Sequence, residues 1–207
     1  VGTSVFAAGG GGAILRFDGA AWRPMAGNSE TALYGLWGNS AANLFAVGGG
    51  GRILNYDGTG WRPVKSPTGM VLRAVWGASR SEVFAAGSGV LLRYNGREWR
   101  DASDGVRLIG CLWGTSGANL YSGGAAAGGE GGFIRRFDGS GWRDEAVDPA
   151  APIHGLWGDG RGNLFAVGGS RAIGGILYRF DGRSWQEAWR QPEETLNQGL
   201  RALWREG

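Results

Sequence analysis

Residues 33–63 read LYGLWGNSAANLFAVGGGGRILNYDGTGWRP. An apolar run ends at Trp37, small residues follow, and the chain resumes as NLFAV. It then passes four glycines, resumes as RILNY and turns at Asp57-Gly58 into WRP. Asp-Gly between two apolar runs is a strong hairpin signal, because glycine accepts the positive φ that the turn needs. Nothing in the stretch places apolar residues at i, i+3, i+4 and i+7 between caps, which excludes a helix. The stretch therefore predicts four short strands.

The pattern recurs along the whole chain. Aromatic-Asp-Gly-x-x-Trp, once with Asn for Asp, appears as FDGAAW, YDGTGW, YNGREW, FDGSGW and FDGRSW, ending at Trp22, Trp61, Trp99, Trp142 and Trp185. A second series, Trp37, Trp76, Trp113, Trp157 and Trp204, closes LYGLW, LRAVW, IGCLW, IHGLW and LRALW. A four-stranded repeat of roughly 40 residues is the size of one propeller blade, and closure into a ring is how such sheets hide their edges. Five copies predict an all-β, five-bladed β-propeller of antiparallel blades as one domain over residues 1–207. The blades are expected at 33–65, 72–104, 109–147 and 153–190, with a composite blade made from 200–207 and 3–26. In that "Velcro" blade LRALW supplies the inner strand and the N-terminal SVFAAGG, AILRF and WRPM the other three. An open solenoid has no reason to split its terminal unit in this way.

These motifs resemble known propeller repeats. The Gly48-Gly49 doublet followed by Tyr56 and Trp61 is similar to a kelch repeat, and the Asp-Gly-x-x-Trp hairpin resembles a relaxed Asp-box without its preceding Ser or Thr. The whole unit is similar to bacterial propeller-like repeat proteins. The resemblance implies the fold and no particular activity, since propellers host unrelated functions.

Composition fits this reading. The chain holds 43 Gly and 11 Trp, and 43% of it is hydrophobic, which distinguishes it from Gly-rich disorder. A net charge of +3, with arginines spaced at intervals, does not point to nucleic acid. The single cysteine excludes an internal disulfide or a Cys-based metal site. No apolar run reaches the length of a membrane span. The chain starts at Val1 without a methionine, which fits removal of a leader or upstream segment and favours a secreted or periplasmic protein. A closed ring favours a monomer.

Most conspicuous residues read as structural. The ten periodic tryptophans are expected to pack between neighbouring blades. Asp18, Asp57, Asn95, Asp138 and Asp181 are expected to bond their own turns, and Cys111 to be a small buried residue. The GGGG runs at 9–12 and 48–51 precede strands and lack the Lys and Ser/Thr of a phosphate loop.

The repeat also serves as its own control, because positions shared by all five units report what the fold demands. One column departs from the pattern. Three residues before the inner-strand Trp stand Tyr34, Arg73, Gly110, His154 and Arg201, between columns that hold only apolar or small residues. Inner strands line the channel, so this column is expected at one mouth, either as a ligand site or as a plug. Longer connections at 123–132 (GGAAAGGEGG), 168–175 (GGSRAIGG) and 186–199 are expected as loops on that face, and they add Glu130, Arg171 and Trp189 to the candidate ligand-binding set.

The inner strands contain no Asp or Glu, unlike a glycosidase, whose paired carboxylates face each other across the scissile bond. No catalytic residue, cofactor or metal is assigned. The reading is a non-catalytic module for a carbohydrate or a protein or peptide ligand, lectin-like in its sharpest form. The alternatives are a scaffold docking through the rim arginines that follow Trp22, Trp61, Trp99 and Trp142, and a glycosidase-like hydrolase.

Overall fold

The computed structural model describes residues 4–27, 29–105, 107–128, 131–145, 151–192 and 200–201. The chain divides into two compact units, Val1–Ser103 and Asp104–Gly207.

The first unit holds three sheets. β1 (Val5–Ala8), β2 (Ile14–Phe17) and β3 (Trp22–Met25) form a three-stranded meander. β4 (Leu33–Ser40), β5 (Asn43–Gly48), β6 (Ile53–Tyr56) and β7 (Trp61–Pro63) form the second sheet. β8 (Leu72–Ser79), β9 (Glu82–Gly87), β10 (Leu91–Tyr94) and β11 (Trp99–Asp101) form the third. In the second unit, β12 (Leu108–Ser116), β13 (Asn119–Ala125), β14 (Gly132–Phe137) and β15 (Trp142–Asp144) make the fourth sheet. β16 (Ile153–Gly158), β17 (Leu164–Ser170), β18 (Gly174–Phe180) and β19 (Trp185–Arg190) make the fifth. Every pairing is antiparallel between consecutive strands, and the sheets are the blades of a five-bladed β-propeller. No helix among the described residues is long and apolar enough to cross a membrane.

Strand alternation explains the packing. Phe45, Val47 and Ile53 point from the second sheet onto Leu72, Val83 and Trp99 of the third. Tyr121 and Ile134 of the fourth sheet meet Ile153, Ala166 and Trp185 of the fifth. Trp99 and Trp185 are buried in these layers, and Trp61 in the layer between the first and second sheets, as expected of the repeat. Trp22, in the first sheet of its unit, is 49% exposed and packs on Phe17 at 5.5 Å. The inner-strand tryptophans lie on glycines of the next sheet: a Cβ on Gly77 would come within 2.6 Å of the Trp37 ring, and one on Gly158 within 2.5 Å of the Trp113 ring. Trp204 and residues 202–207, the expected inner strand of the composite blade, lie outside the described residues. Leu200, just before them, donates its N–H to Gly168 O at 3.0 Å, as Leu33 at the start of β4 does to Gly9 O.

The glycine runs have a steric cause. Gly51 has φ +70°, and a side chain there would fall on the Thr68 carbonyl, where the connection to the next sheet crosses the turn.

Each Asp-Gly connection is a four-residue loop, as in Tyr56↔Trp61, and not a two-residue turn. The Asp57 carboxylate accepts the amides of Thr59 and Gly60 at 2.9 and 3.1 Å and the Thr59 hydroxyl at 2.6 Å, with Arg62 at 3.1 Å. These bonds, the Thr59 side chain foremost, hold its pKa down to about 2. Asp18, Asp138 and Asp181 are lowered by the same kinds of bond, Arg23 and Ser140 leading for the first two and the Ser184 amide for the third. A depressed folded-state pKa contributes stability that is present above the ordinary carboxylate value and lost as the pH falls through the folded value, here between about pH 4 and about pH 2. Asn95 already makes the same two amide bonds in the third sheet, at 3.0 and 3.1 Å. Replacing all four aspartates by Asn is therefore expected to keep the turns and flatten the acid limb of a melting-temperature profile over that window. An unchanged limb would contradict this account.

Candidate functional site

The column that breaks the repeat has a backbone cause that sequence reading missed. In β4 and β5, Leu33 pairs with Gly48 and Gly35 with Val47, so Tyr34 is skipped. The same one-residue shift skips Arg73 between Leu72 and Ala74, Gly110 between Ile109 and Cys111, and His154 between Ile153 and Gly155. Each described member of the column up to His154 is thus a β-bulge, unpaired in the ladder, which re-aims the side chains of Tyr34, Arg73 and His154. The flanking small column is also explained. A Cβ on Gly35 would lie 3.1 Å from the Arg73 carbonyl of the adjacent inner strand. Cys111, the bulkiest residue found there, is buried with its Sγ 3.5 Å from Gly123 O, and burial pushes its thiol pKa up to about 12, which keeps it protonated and inert.

In the first unit the bulges bring Tyr34 and Arg73 together. The Arg73 guanidinium lies 5.6 Å from the Tyr34 ring centroid, and Tyr34 is 54% exposed. Among the described residues no carboxylate pairs with Arg73. The pair offers an aromatic face and an uncommitted forked cation.

In the second unit, His154 Nε2 sits 3.0 Å from Gly169 O. A carbonyl only accepts, so Nε2 is the donor in this contact. Leu200 bonds the preceding carbonyl, Gly168 O, and sets the exposed Arg201 beside that same strand end. Arg171 is exposed at the tip of the β17–β18 hairpin.

One of the expected loops is largely strand, and another is entered and left by strand. In 168–175, Gly169 pairs with Gly175 and Ser170 with Gly174, leaving Arg171–Ile173 as a three-residue tip. In the fourth sheet, β13 runs to Ala125 and β14 starts at Gly132. Extending the ladder satisfies backbone groups that a loop would leave to solvent. Trp189 is corrected likewise: it belongs to β19, pairs with Leu177, and stands three strands from the inner strand β16, roughly 14 Å at ordinary strand spacing. It is not brought to His154. Glu130 lies outside the described residues.

The four arginines that follow the hairpin tryptophans pair with carboxylates of their own sheets. Arg23, Arg62 and Arg143 reach Asp18, Asp57 and Asp138 at 2.7, 3.1 and 2.8 Å, and Arg100 is held by Glu98. At 70–78% side-chain exposure these pairs contribute little to stability, but they neutralise the rim.

The fourth sheet carries further departures unread in the sequence. Arg135 stands where Leu15, Leu54 and Leu92 stand in the first three sheets. It reaches Asp104 at 2.6 Å and Asp144 at 3.3 Å, and Arg107 joins the same Asp144 at 2.8 Å. Glu145 occupies the place of Met25, Val64 and Ala102, and burial raises its pKa. Comparing units column by column would have found both.

No protein-family model matches the chain. No curated protein matches it either. Among solved structures it is similar to YCF48 bound to D1 peptide, a β-propeller, with a TM-score of 0.64 and 15% sequence identity. The match covers 88% of this chain and 62% of that one, so the chain spans less than two thirds of that protein's length. At that identity the likeness concerns the fold.

Proposed function

We propose that this chain is a non-catalytic binding module that takes a protein segment or peptide on the bulged column of its inner strands. The observation that carries the reading is the exposed Tyr34–Arg73 pair, an aromatic face with an unpaired cation over it, standing on a rigid ladder at a position the fold leaves free to vary. Bulges re-aim side chains beside functional sites, and Tyr and Arg dominate the energetic centres of protein interfaces. The similar propeller solved with a peptide bound supports this class of ligand. In the second unit, His154, Arg171 and Arg201 are proposed as a candidate surface of their own. A carbohydrate on the same pair is a second reading, favoured by the half-exposed Tyr34 ring. A placing among kelch-like or Asp-box-like bacterial propellers is compatible with either.

Peptides selected on the immobilised chain from a random displayed library test the proposal. Tyr34→Ala and Arg73→Ala are each expected to weaken the selected peptide by about tenfold or more, since loss of one such contact costs at least ~1.4 kcal/mol. The melting temperature is expected to hold, because neither side chain takes part in a ladder bond. Peptide binding that survives both substitutions, or selection of glycans and no peptide, overturns it.

A further inference from the structure

Four of the five loops that end in the hairpin tryptophans begin with an aspartate, and the third sheet alone begins its loop with Asn95. Asn95 is also the one asparagine in the chain that a glycine follows. The backbone nitrogen after an asparagine can attack the side-chain amide carbon, and a glycine leaves that nitrogen unhindered. The loop of the third sheet holds both partners of this reaction ready.

The electrophile is fixed by the turn. Asn95 Oδ1 accepts the amides of Arg97 and Glu98 at 3.0 and 3.1 Å. Negative charge gathers on this oxygen when a nucleophile adds to Cγ, so two backbone N–H groups aimed at it act as an oxyanion hole. With Oδ1 committed to the loop, the Nδ2 amino group of the exposed Asn95 has no hydrogen-bond partner among the described residues and is free to leave. The nucleophile is equally accessible. Gly96 is exposed and its N–H has no partner among the described residues, whereas the Asn95 N–H is bonded to Glu98 O at 3.3 Å.

The other four loops share the shape without the reactivity. Asp18, Asp57, Asp138 and Asp181 also precede glycines, but the bonds that lower their pKa keep them ionised at neutral pH, and a carboxylate resists attack by an amide nitrogen. The same loops show that an aspartate fits the place. Asp18, Asp57 and Asp138 take the amides of their own turns and pair with Arg23, Arg62 and Arg143, and Arg100 follows Trp99 at the equivalent position.

We propose that Asn95 is a site of spontaneous deamidation that gives the third sheet the aspartate of the other four. The Gly96 nitrogen bonds to Asn95 Cγ and gives up its proton, the Cγ–Nδ2 bond breaks, and ammonia departs with that proton, leaving a five-membered succinimide. Water then adds to Cγ, the carbon whose oxygen the Arg97 and Glu98 amides hold, and the bond from Cγ to the Gly96 nitrogen breaks. The ordinary backbone is restored with a carboxylate on the side chain. Water is consumed, ammonia is released, and the formal charge of the chain falls from +3 to +2. Opening at the backbone carbonyl instead gives isoaspartate, whose additional main-chain carbon disturbs the loop that sets Tyr94 opposite Trp99.

The test is incubation of the full chain in mildly alkaline buffer, with tryptic peptides read by mass spectrometry and isoaspartate counted with isoaspartyl methyltransferase. Peptide 94–97 is expected to convert before any other asparagine-containing peptide, with normal aspartate as the major product. The converted chain is expected to co-elute on ion exchange with the Asn95→Asp variant and to keep the parent melting temperature. A guanidinium-unfolded sample is the reference, and there isoaspartate is expected to dominate because nothing holds Oδ1. The proposal is overturned if Asn95 keeps its amide in the folded chain while the unfolded chain converts, if isoaspartate is the major product of the folded chain, or if another asparagine reacts first.

Discussion

Gly48→Ala is expected to cost about 3 kcal/mol or more, at the upper end of overpacking penalties, while Gly9→Ala at the equivalent place in the first sheet changes stability by less than about 0.5 kcal/mol. The two glycines have nearly the same extended backbone, φ −168° and −166°, so conformational preference does not separate them. Crowding does. A Cβ on Gly48 would fall on the carbonyl oxygen of Ala32, which already accepts the Gly49 amide at 3.0 Å, whereas one on Gly9 meets nothing within 4 Å among the described residues. The obstacle at Gly48 is backbone held by hydrogen bonds and cannot swing aside. Gly87, Gly124 and Gly168 face the carbonyls of Val71, Leu108 and Pro152 in the same way. Chemical denaturation of the two single variants, read at constant m-value, decides the matter. Equal losses would show that the close approach does not constrain the fold.

Trp99→Ala is expected to cost roughly 3–5 kcal/mol, and Trp22→Ala less than about 1 kcal/mol. Trp99 is 4% exposed and meets Phe45 of the preceding sheet edge-on, with centroids 5.6 Å apart and planes at 85°, and Tyr94 of its own sheet at 5.2 Å. Removing it opens a cavity in the layer between two sheets. Trp22 occupies the same place in its repeat at 49% exposure. A loss of the larger size is a large part of the 5–15 kcal/mol that typically holds a domain together, so the first variant should melt well below the second. Similar melting temperatures would contradict the burial difference.

The strands, their order and the turn chemistry were legible because each rests on residues close in sequence. Alternation in NLFAV and RILNY sets two faces, the Asp57 carboxylate caps amides two and three residues on, and the recurrence of Trp61 and Trp99 counts the sheets. The column of Tyr34, Arg73, Gly110 and His154 was legible as a departure from the repeat, but its cause was not. A bulge is a relation of register between two strands, and register depends on which residues the partner strand presents. Nor does local sequence tell a loop from an extended hairpin: whether Trp189 pairs with Leu177 depends on how far β18 continues. The same holds for Trp22 and Trp61, set in near-identical motifs yet exposed in one case and buried in the other, and for Arg135, which sits in a leucine column because Asp104 and Asp144 reach it from elsewhere in the chain. Short-range periodicity determined the sheets. Pairing across strands and packing across sheets decided which side chains were left for binding.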